Sequence, residues 1–217
     1  MLPSVIIAII CDNDEKTIYD CLLAAGEQDY PNKEIFVIDN CSSDSSWLKI
    51  EQASKIIGPK TVYNKVDKKY THGGLKNFII KSANADIYAI IPGYVIVDKS
   101  KVSVAVNAII ENAADLIYND YMWQDIYMPT GSYNKDMMMK FPFWPSSYCI
   151  TKRALDKIGG YNEKINGVED YDMLLRLTDI GLALHVPKPL EEQRPKKIDE
   201  QIINNIQFVL QNYRANG

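Results

Sequence analysis

The chain has 217 residues, 47% hydrophobic and 24% charged, with a formal net charge of −4. That length and balance suit one compact domain. An acidic balance with no Lys/Arg stripe excludes a nucleic-acid backbone as the main partner, and the short cationic runs Lys65 to Lys69 and Lys196-Lys197 read as solvated faces.

The first ten residues, "MLPSVIIAII", hold an apolar run too short to span a bilayer and no basic start, so they read as a strand and not as a leader. No later segment approaches the ~20 apolar residues of a membrane helix, so no membrane span and a cytoplasmic location are expected. "SVIIAII" is continuously apolar and β-branched, the pattern of a strand covered on both faces. "CDNDEK" offers Asp12, Asn13 and Asp14 as caps for a helix across "TIYDCLLAAGEQ". After the turn "DYPNK", "EIFVID" reads as a second buried strand, and the cap-rich "NCSSDSS" opens the helix "WLKIEQASKII". This β-α-β-α order predicts a parallel sheet with right-handed crossovers.

"TVYNK" follows as a strand, "VDKKYTHGG" as a loop, "LKNFIIKSANA" as a helix and "DIYAII" as a strand that ends at the turn Pro92-Gly93-Tyr94. "SKVSVAVNAIIENAA" has helical spacing, "DLIYNDYMW" reads as a strand, "MPTG" as a turn and "YNKDMMMKFPFWP" as an irregular aromatic segment. "SSYCITKRALDKIGGYNE" predicts a strand, then a helix closed by Gly159-Gly160. "VEDYDMLLRLTDIG" predicts a helix with acids at its N-terminal end, and "LALHVP" a last strand. The tail carries Ile198, Ile202, Ile206 and Leu210 at helical spacing, a stripe suited to packing on the domain or a partner subunit, with membrane association as the alternative. Cys11, Cys21, Cys41 and Cys149 lack CxxC spacing, so neither a zinc site nor a disulfide framework is expected.

Parallel sheets bind ligands outside the C-terminal ends of their strands. Here those ends carry Asp12 and Asn13, then Asp39 and Asn40, then the Pro-Gly-Tyr turn. Carboxylates there can accept hydrogen bonds from a base N–H or a sugar hydroxyl. Helix capping explains Asp12, Asn13 and Asp44 equally well, but Asp39 less well, because it ends its strand several residues before the next helix.

"SVIIAIICDNDEKTIYDCLLAAGEQDYPNKEIFVIDNCSSDSS" resembles the opening of family 2 glycosyltransferases. "GGLKNFIIKSANADIYAII" resembles that family's Ala-Arg-Asn helix and following strand. "ADLIYNDY", "CITKRALDKIGGYNEKINGVEDYDMLLRL" and "HVPKPLEEQR" resemble its second half. The resemblance runs in order over residues 4 to 194. It implies the GT-A fold, a Rossmann-like α/β single domain whose mostly parallel sheet is flanked by helices. Residues 1–100 would form the nucleotide-sugar half, 101–194 the acceptor half and 195–217 a C-terminal helix.

The resemblance implies inverting transfer of a sugar from a nucleoside-diphosphate donor, most often UDP, to a hydroxyl of a glycan or small acceptor. Asp39 would contact the base, and Cys11, Asp12 and Asn13 would frame it. Asp170 of "VEDYD" would be the catalytic base, with Glu169 orienting the acceptor or raising the proton affinity of its neighbour. Lys76 stands where the family has an Arg near the diphosphate, and Arg194 where it has one after the last strand. The family's metal-binding Asp-x-Asp is replaced here: Pro92 and Tyr94 occupy the acidic places, and neither offers a carboxylate to Mn²⁺ or Mg²⁺. Asp98 follows four residues on. With no metal expected, Lys76, His72, Arg194 and the Tyr94 hydroxyl are candidates for stabilising the departing diphosphate.

Trp123, Tyr127, Phe141, Phe143 and Trp144 are expected to divide between core and acceptor groove, and His185 reads as a core histidine. The alternative to an enzyme is a nucleotide-sugar-binding domain of the same fold that has lost catalysis. A nucleotidyltransferase is disfavoured by the absence of a Gly-rich phosphate loop, and a dehydrogenase by the absence of GxGxxG.

Overall fold

The computed structural model describes residues 1–58, 60–194 and 201–216. Four strands form a parallel half-sheet: β1 (Val5–Cys11), β2 (Lys33–Asp39), β3 (Thr61–Lys65) and β4 (Ile87–Pro92), in the order β3-β2-β1-β4. Alternate residues of β1 enter different cores. Val5, Ile7, Ile9 and Cys11 face α1 (Ile18–Gly26), α2 (Ser46–Ile57) and α4 (Lys101–Asn112). Ile6, Ala8 and Ile10 face the side of α3 (His72–Ser82), α6 (Lys152–Ile158) and α7 (Glu169–Thr178). Burial on both faces is why these strands are apolar throughout rather than alternating.

The second half of the sheet departs from the expected parallel order. β8 (Tyr148–Thr151) runs antiparallel to β4 and to β6 (Leu116–Trp123). β6 pairs in parallel with β9 (Ala183–Gln193), and β9 is antiparallel to β5 (Val95–Val97). The sheet is therefore parallel over residues 5–92 and mixed beyond, because β8 enters between β4 and β6 against their direction.

Three elements differ from the sequence pattern for local reasons. β7 (Ile126–Met128) forms a hairpin on β6 through Gln124 and Asp125, whose φ angles of 47° and 65° make a turn without the usual Asn-Gly signal. The expected irregular aromatic segment contains α5 (Lys135–Lys140), where the Asn134 side chain accepts the Met137 N–H. β9 continues through Pro187 and Pro189, with its pairing to β6 shifting register there.

α8 (Gln201–Asn216) packs Ile202, Ile206, Leu210 and Tyr213 against the core, and Tyr213 donates its hydroxyl to the Leu175 carbonyl at 2.8 Å. Ile198 and the other residues of 195–200 lie outside the described residues. Among the described residues, no helix is long and apolar enough to cross a membrane.

Candidate active site

Strand register puts the candidate residues on one rim. Cys11 is level with Asp39, Asp39 with Lys65, and Ile10 with Pro92. Cys11 itself turns into the core, where burial and the nearby Asp14 charge push its thiol up to about 12. Its carbonyl faces the rim and accepts the Asn40 N–H at 2.8 Å.

Asp39 is fully buried. Its Oδ2 accepts the Ser42 N–H at 3.2 Å, while Oδ1 has no hydrogen-bond partner among the described residues. A buried carboxylate oxygen without a donor is the kind of group that a ligand N–H completes. Beside it the Asn40 amide donates to the Tyr70 carbonyl at 3.0 Å and to Asp12 Oδ2 at 3.2 Å, and accepts the Tyr70 N–H at 2.9 Å.

Neither Asp12, Asn13 nor Asp14 caps α1, whose N-cap is Thr17. Asn13, at φ 57°, ties two rim loops together: its N–H donates to Ser42 Oγ at 3.0 Å and its Oδ1 accepts the Ser43 N–H at 2.9 Å. Asp44 Oδ1 does take the Ser46 N–H at the start of α2, at 3.0 Å. Asp12 pairs with Lys69 and lies 3.6 Å from His72. Burial alone would raise its proton affinity, but His72 and Lys69 together hold its carboxyl well below the usual range.

His72 opens α3, and Thr71 caps it by accepting the Gly74 N–H at 3.2 Å. The helix therefore starts three residues before the expected Leu75; the glycine pair had the appearance of a loop. A Cβ on Gly73 would sit 2.8 Å from the Asn162 carbonyl and 3.4 Å from Glu169 Cβ. Glycine thus lets α3 approach the start of α7 closely. That approach brings the buried Lys76 ammonium to 2.8 Å from Glu169 Oε1 and 2.6 Å from Asp170 Oδ1, while His72 Nδ1 is 3.9 Å from Glu169 Oε1. Ionisable side chains thus follow one another from Lys69 and Asp12 through His72, Glu169 and Lys76 to Asp170, each within 4 Å of the next.

Asp170 Oδ1 also accepts from the Tyr148 hydroxyl, which in turn meets the Tyr161 hydroxyl at 2.7 Å. The Lys76 ammonium lies 5.1 Å from the Tyr161 ring centre. Neither Tyr148 nor Tyr161, which lies within the segment that resembles the family's second half, is a site candidate by sequence; their place beside the Glu-Asp pair in space reveals them. Burial, with the Glu169 charge adding to it, raises the Asp170 carboxyl against the pull of Lys76. Glu169 is lowered, because Lys76 and His72 outweigh its own burial. Its Oε2 is buried without a partner among the described residues. Two adjacent carboxyls pushed in opposite directions are typical of acid–base sites.

The Pro92-Gly93-Tyr94 turn closes the rim. The Pro92 carbonyl takes the Cys21 thiol at 3.6 Å, and the Gly93 carbonyl takes the Thr17 hydroxyl at 2.9 Å. Burial raises the Tyr94 phenol to about 12 despite a hydrogen bond with Ser146, and the charges of Asp170 and Lys76 reach it. A neutral phenol and two engaged carbonyls do not fit a hard divalent cation, which takes several oxygen ligands, usually carboxylates among them. Asp98 instead holds the start of α4, accepting the Ser100 N–H at 2.9 Å and the Ser100 hydroxyl at 2.6 Å. The Arg194 N–H donates to the Tyr94 carbonyl at 3.1 Å, and its guanidinium, half exposed, pairs with Glu192 at 3.1 Å.

Several solved structures share this architecture. TarS 1–349 of S. aureus in complex with UDP is 14% identical, with a TM-score of 0.74 over 99% of this chain and 66% of that one. Another TarS structure matches with a TM-score of 0.73 and 14% identity over 95% of this chain, which spans only 39% of its length. The mannosyltransferase PcManGT of Pyrobaculum calidifontis, in complex with GDP-Man and Mn²⁺, is 14% identical with a TM-score of 0.72, over 95% of this chain and 61% of that one. At such identity these likenesses establish the shared GT-A fold. No curated protein sequence matches significantly. The family model "Glycosyl transferase family 2" matches residues 5–161, well over half of the chain, and the protein belongs to that family.

Proposed function

We propose that this protein transfers a sugar from a UDP-sugar to a hydroxyl of a glycan or small-molecule acceptor, by single inverting displacement and without a divalent metal. The observation that carries this reading is the series of ionisable side chains in contact from Asp12, bonded to Asn40 next to Asp39, to Asp170. It joins a nucleobase end to a nucleophile end across the two halves of the chain, 1–100 and 101–194.

Asp39 Oδ1 accepts the base N–H, and the Cys11 backbone, Asp12 and Asn13 frame that end. The acceptor oxygen attacks the anomeric carbon, the bond to the diphosphate oxygen breaks, and UDP leaves with the electron pair. The acceptor proton passes to Asp170, whose Oδ1 is held by Lys76 and Tyr148. A raised proton affinity makes Asp170 the better base of the pair. Lys76 is the counter-ion of the two carboxylates. Arg194, His72 and the neutral Tyr94 hydroxyl remain to meet the leaving diphosphate, in place of the cation that the turn does not fit.

Following UDP release from UDP-sugars, with EDTA and then with added Mn²⁺, tests the reading. Equal turnover under both conditions is expected. A strictly Mn²⁺-dependent rate would overturn metal independence. UDP-sugar binding without turnover on any hydroxyl acceptor would leave a binding domain of the same fold.

A further inference from the structure

We propose that Tyr133 forms a sugar-hydroxyl subsite beside Asp170, its phenolic O–H binding a hydroxyl of the donor sugar or of the acceptor. The proposal rests on the transfer reading above. Its basis is the way the molecule holds this one ring. Tyr133 stacks on Tyr118 with ring centres 4.1 Å apart, and Tyr118 stacks on His185 at 5.3 Å. The Tyr118 hydroxyl accepts the Tyr133 N–H at 2.8 Å and donates to the Gly131 carbonyl at 2.8 Å. One turn earlier, the fully buried Asp120 accepts the Thr130 N–H at 2.7 Å and the Thr130 hydroxyl at 3.0 Å, and meets His185 Nε2 at 2.6 Å. A buried carboxylate, a histidine and a tyrosine thus fix the loop that presents Tyr133.

The end of that ring has nothing to bind. The Tyr133 hydroxyl is buried and has no hydrogen-bond partner among the described residues. Native proteins rarely leave such a group unsatisfied without a use for it. The Phe143 ring lies 5.9 Å from Tyr133, the adjacent Trp144 lies 5.6 Å from Tyr171 of α7, and the Asp170 charge reaches the Tyr133 phenol. Burial, together with the charges of Asp170 and Glu191, keeps the phenol protonated and therefore a donor. Sugar hydroxyls accept as well as donate, and so suit a phenolic donor.

The Y133F variant keeps the ring and removes only the O–H. Its unliganded melting temperature is expected to equal or exceed that of the wild type; a lower value would reveal a structural partner and overturn the subsite. Calorimetry with UDP should not distinguish the two proteins. If the donor sugar is held, UDP-GlcNAc or UDP-glucose binds Y133F about 5–10-fold more weakly. If the acceptor is held, the same loss appears for methyl glycosides added to UDP-saturated protein. Unchanged affinity for both sugar probes overturns the proposal. Failure of UDP to bind the wild type would instead overturn the transfer reading, and the melting comparison would then decide the role of Tyr133.

Discussion

The Lys76 ammonium lies 2.6 Å from Asp170 Oδ1 and 2.8 Å from Glu169 Oε1, so one buried cation serves two carboxylates whose proton affinities are driven apart. The lowered Glu169 contributes stability above its unfolded value, and that stability is lost as pH falls through its folded value. Asp170 has the opposite sign. Its raised folded value means that ionising it costs stability as pH rises through that value.

Asp170→Asn should therefore separate activity from stability. Transfer is expected to fall by ~10²–10⁴, the usual contribution of a positioned general base. The melting temperature at neutral pH should stay level or rise, since the ionisation cost is gone and the amide oxygen can still accept from Lys76 and Tyr148. UDP affinity, measured by calorimetry, should hold.

Lys76→Met removes the one influence that pulls Asp170 down most. The acidic limb of the kcat/KM profile reports ionisation of the base, and it should move to higher pH in this variant. Leaving two buried carboxylates without their cation is expected to cost about 3–5 kcal/mol in urea unfolding. An unmoved limb would mean that Asp170 is not the titrating base.

Asp39→Asn exchanges the unpartnered acceptor for an amide. UDP affinity is expected to drop about 10–100-fold, the loss of a hydrogen bond to a charged group. Chemical unfolding should show little change, because Oδ1 has no partner to lose.

Gly93→Ala probes the turn between β4 and β5. A Cβ there would lie 2.7 Å from Asp14 Oδ2 and 3.2 Å from Ile18 Cδ1. Overpacking of this kind costs about 1–3 kcal/mol, and the displaced Asp14 would release the Asp12 N–H that it accepts at 2.9 Å. Both a lower melting temperature and weaker UDP binding are expected.

The order of strands and helices over residues 5–92, with Asp39 at a strand end and Glu169-Asp170 at a helix start, was legible in the sequence because it depends on local pattern. Continuous β-branched runs mark strands buried on both faces, and acids at strand ends and helix starts stand out one at a time. The turn at Pro92-Gly93-Tyr94, which follows β4, was legible for the same reason. Long-range packing decided the rest. Lys76 was expected at the diphosphate, yet Gly73 lets α3 close on α7 so that its ammonium meets the carboxylate pair. Tyr148, Tyr161 and Tyr133 are ordinary aromatics in the sequence, and they acquire meaning only where separate strands and loops converge on Asp170. The antiparallel entry of β8, which makes that convergence possible, depends on pairing between strands more than fifty residues apart, and hydrophobic periodicity carries no information about partners at that distance.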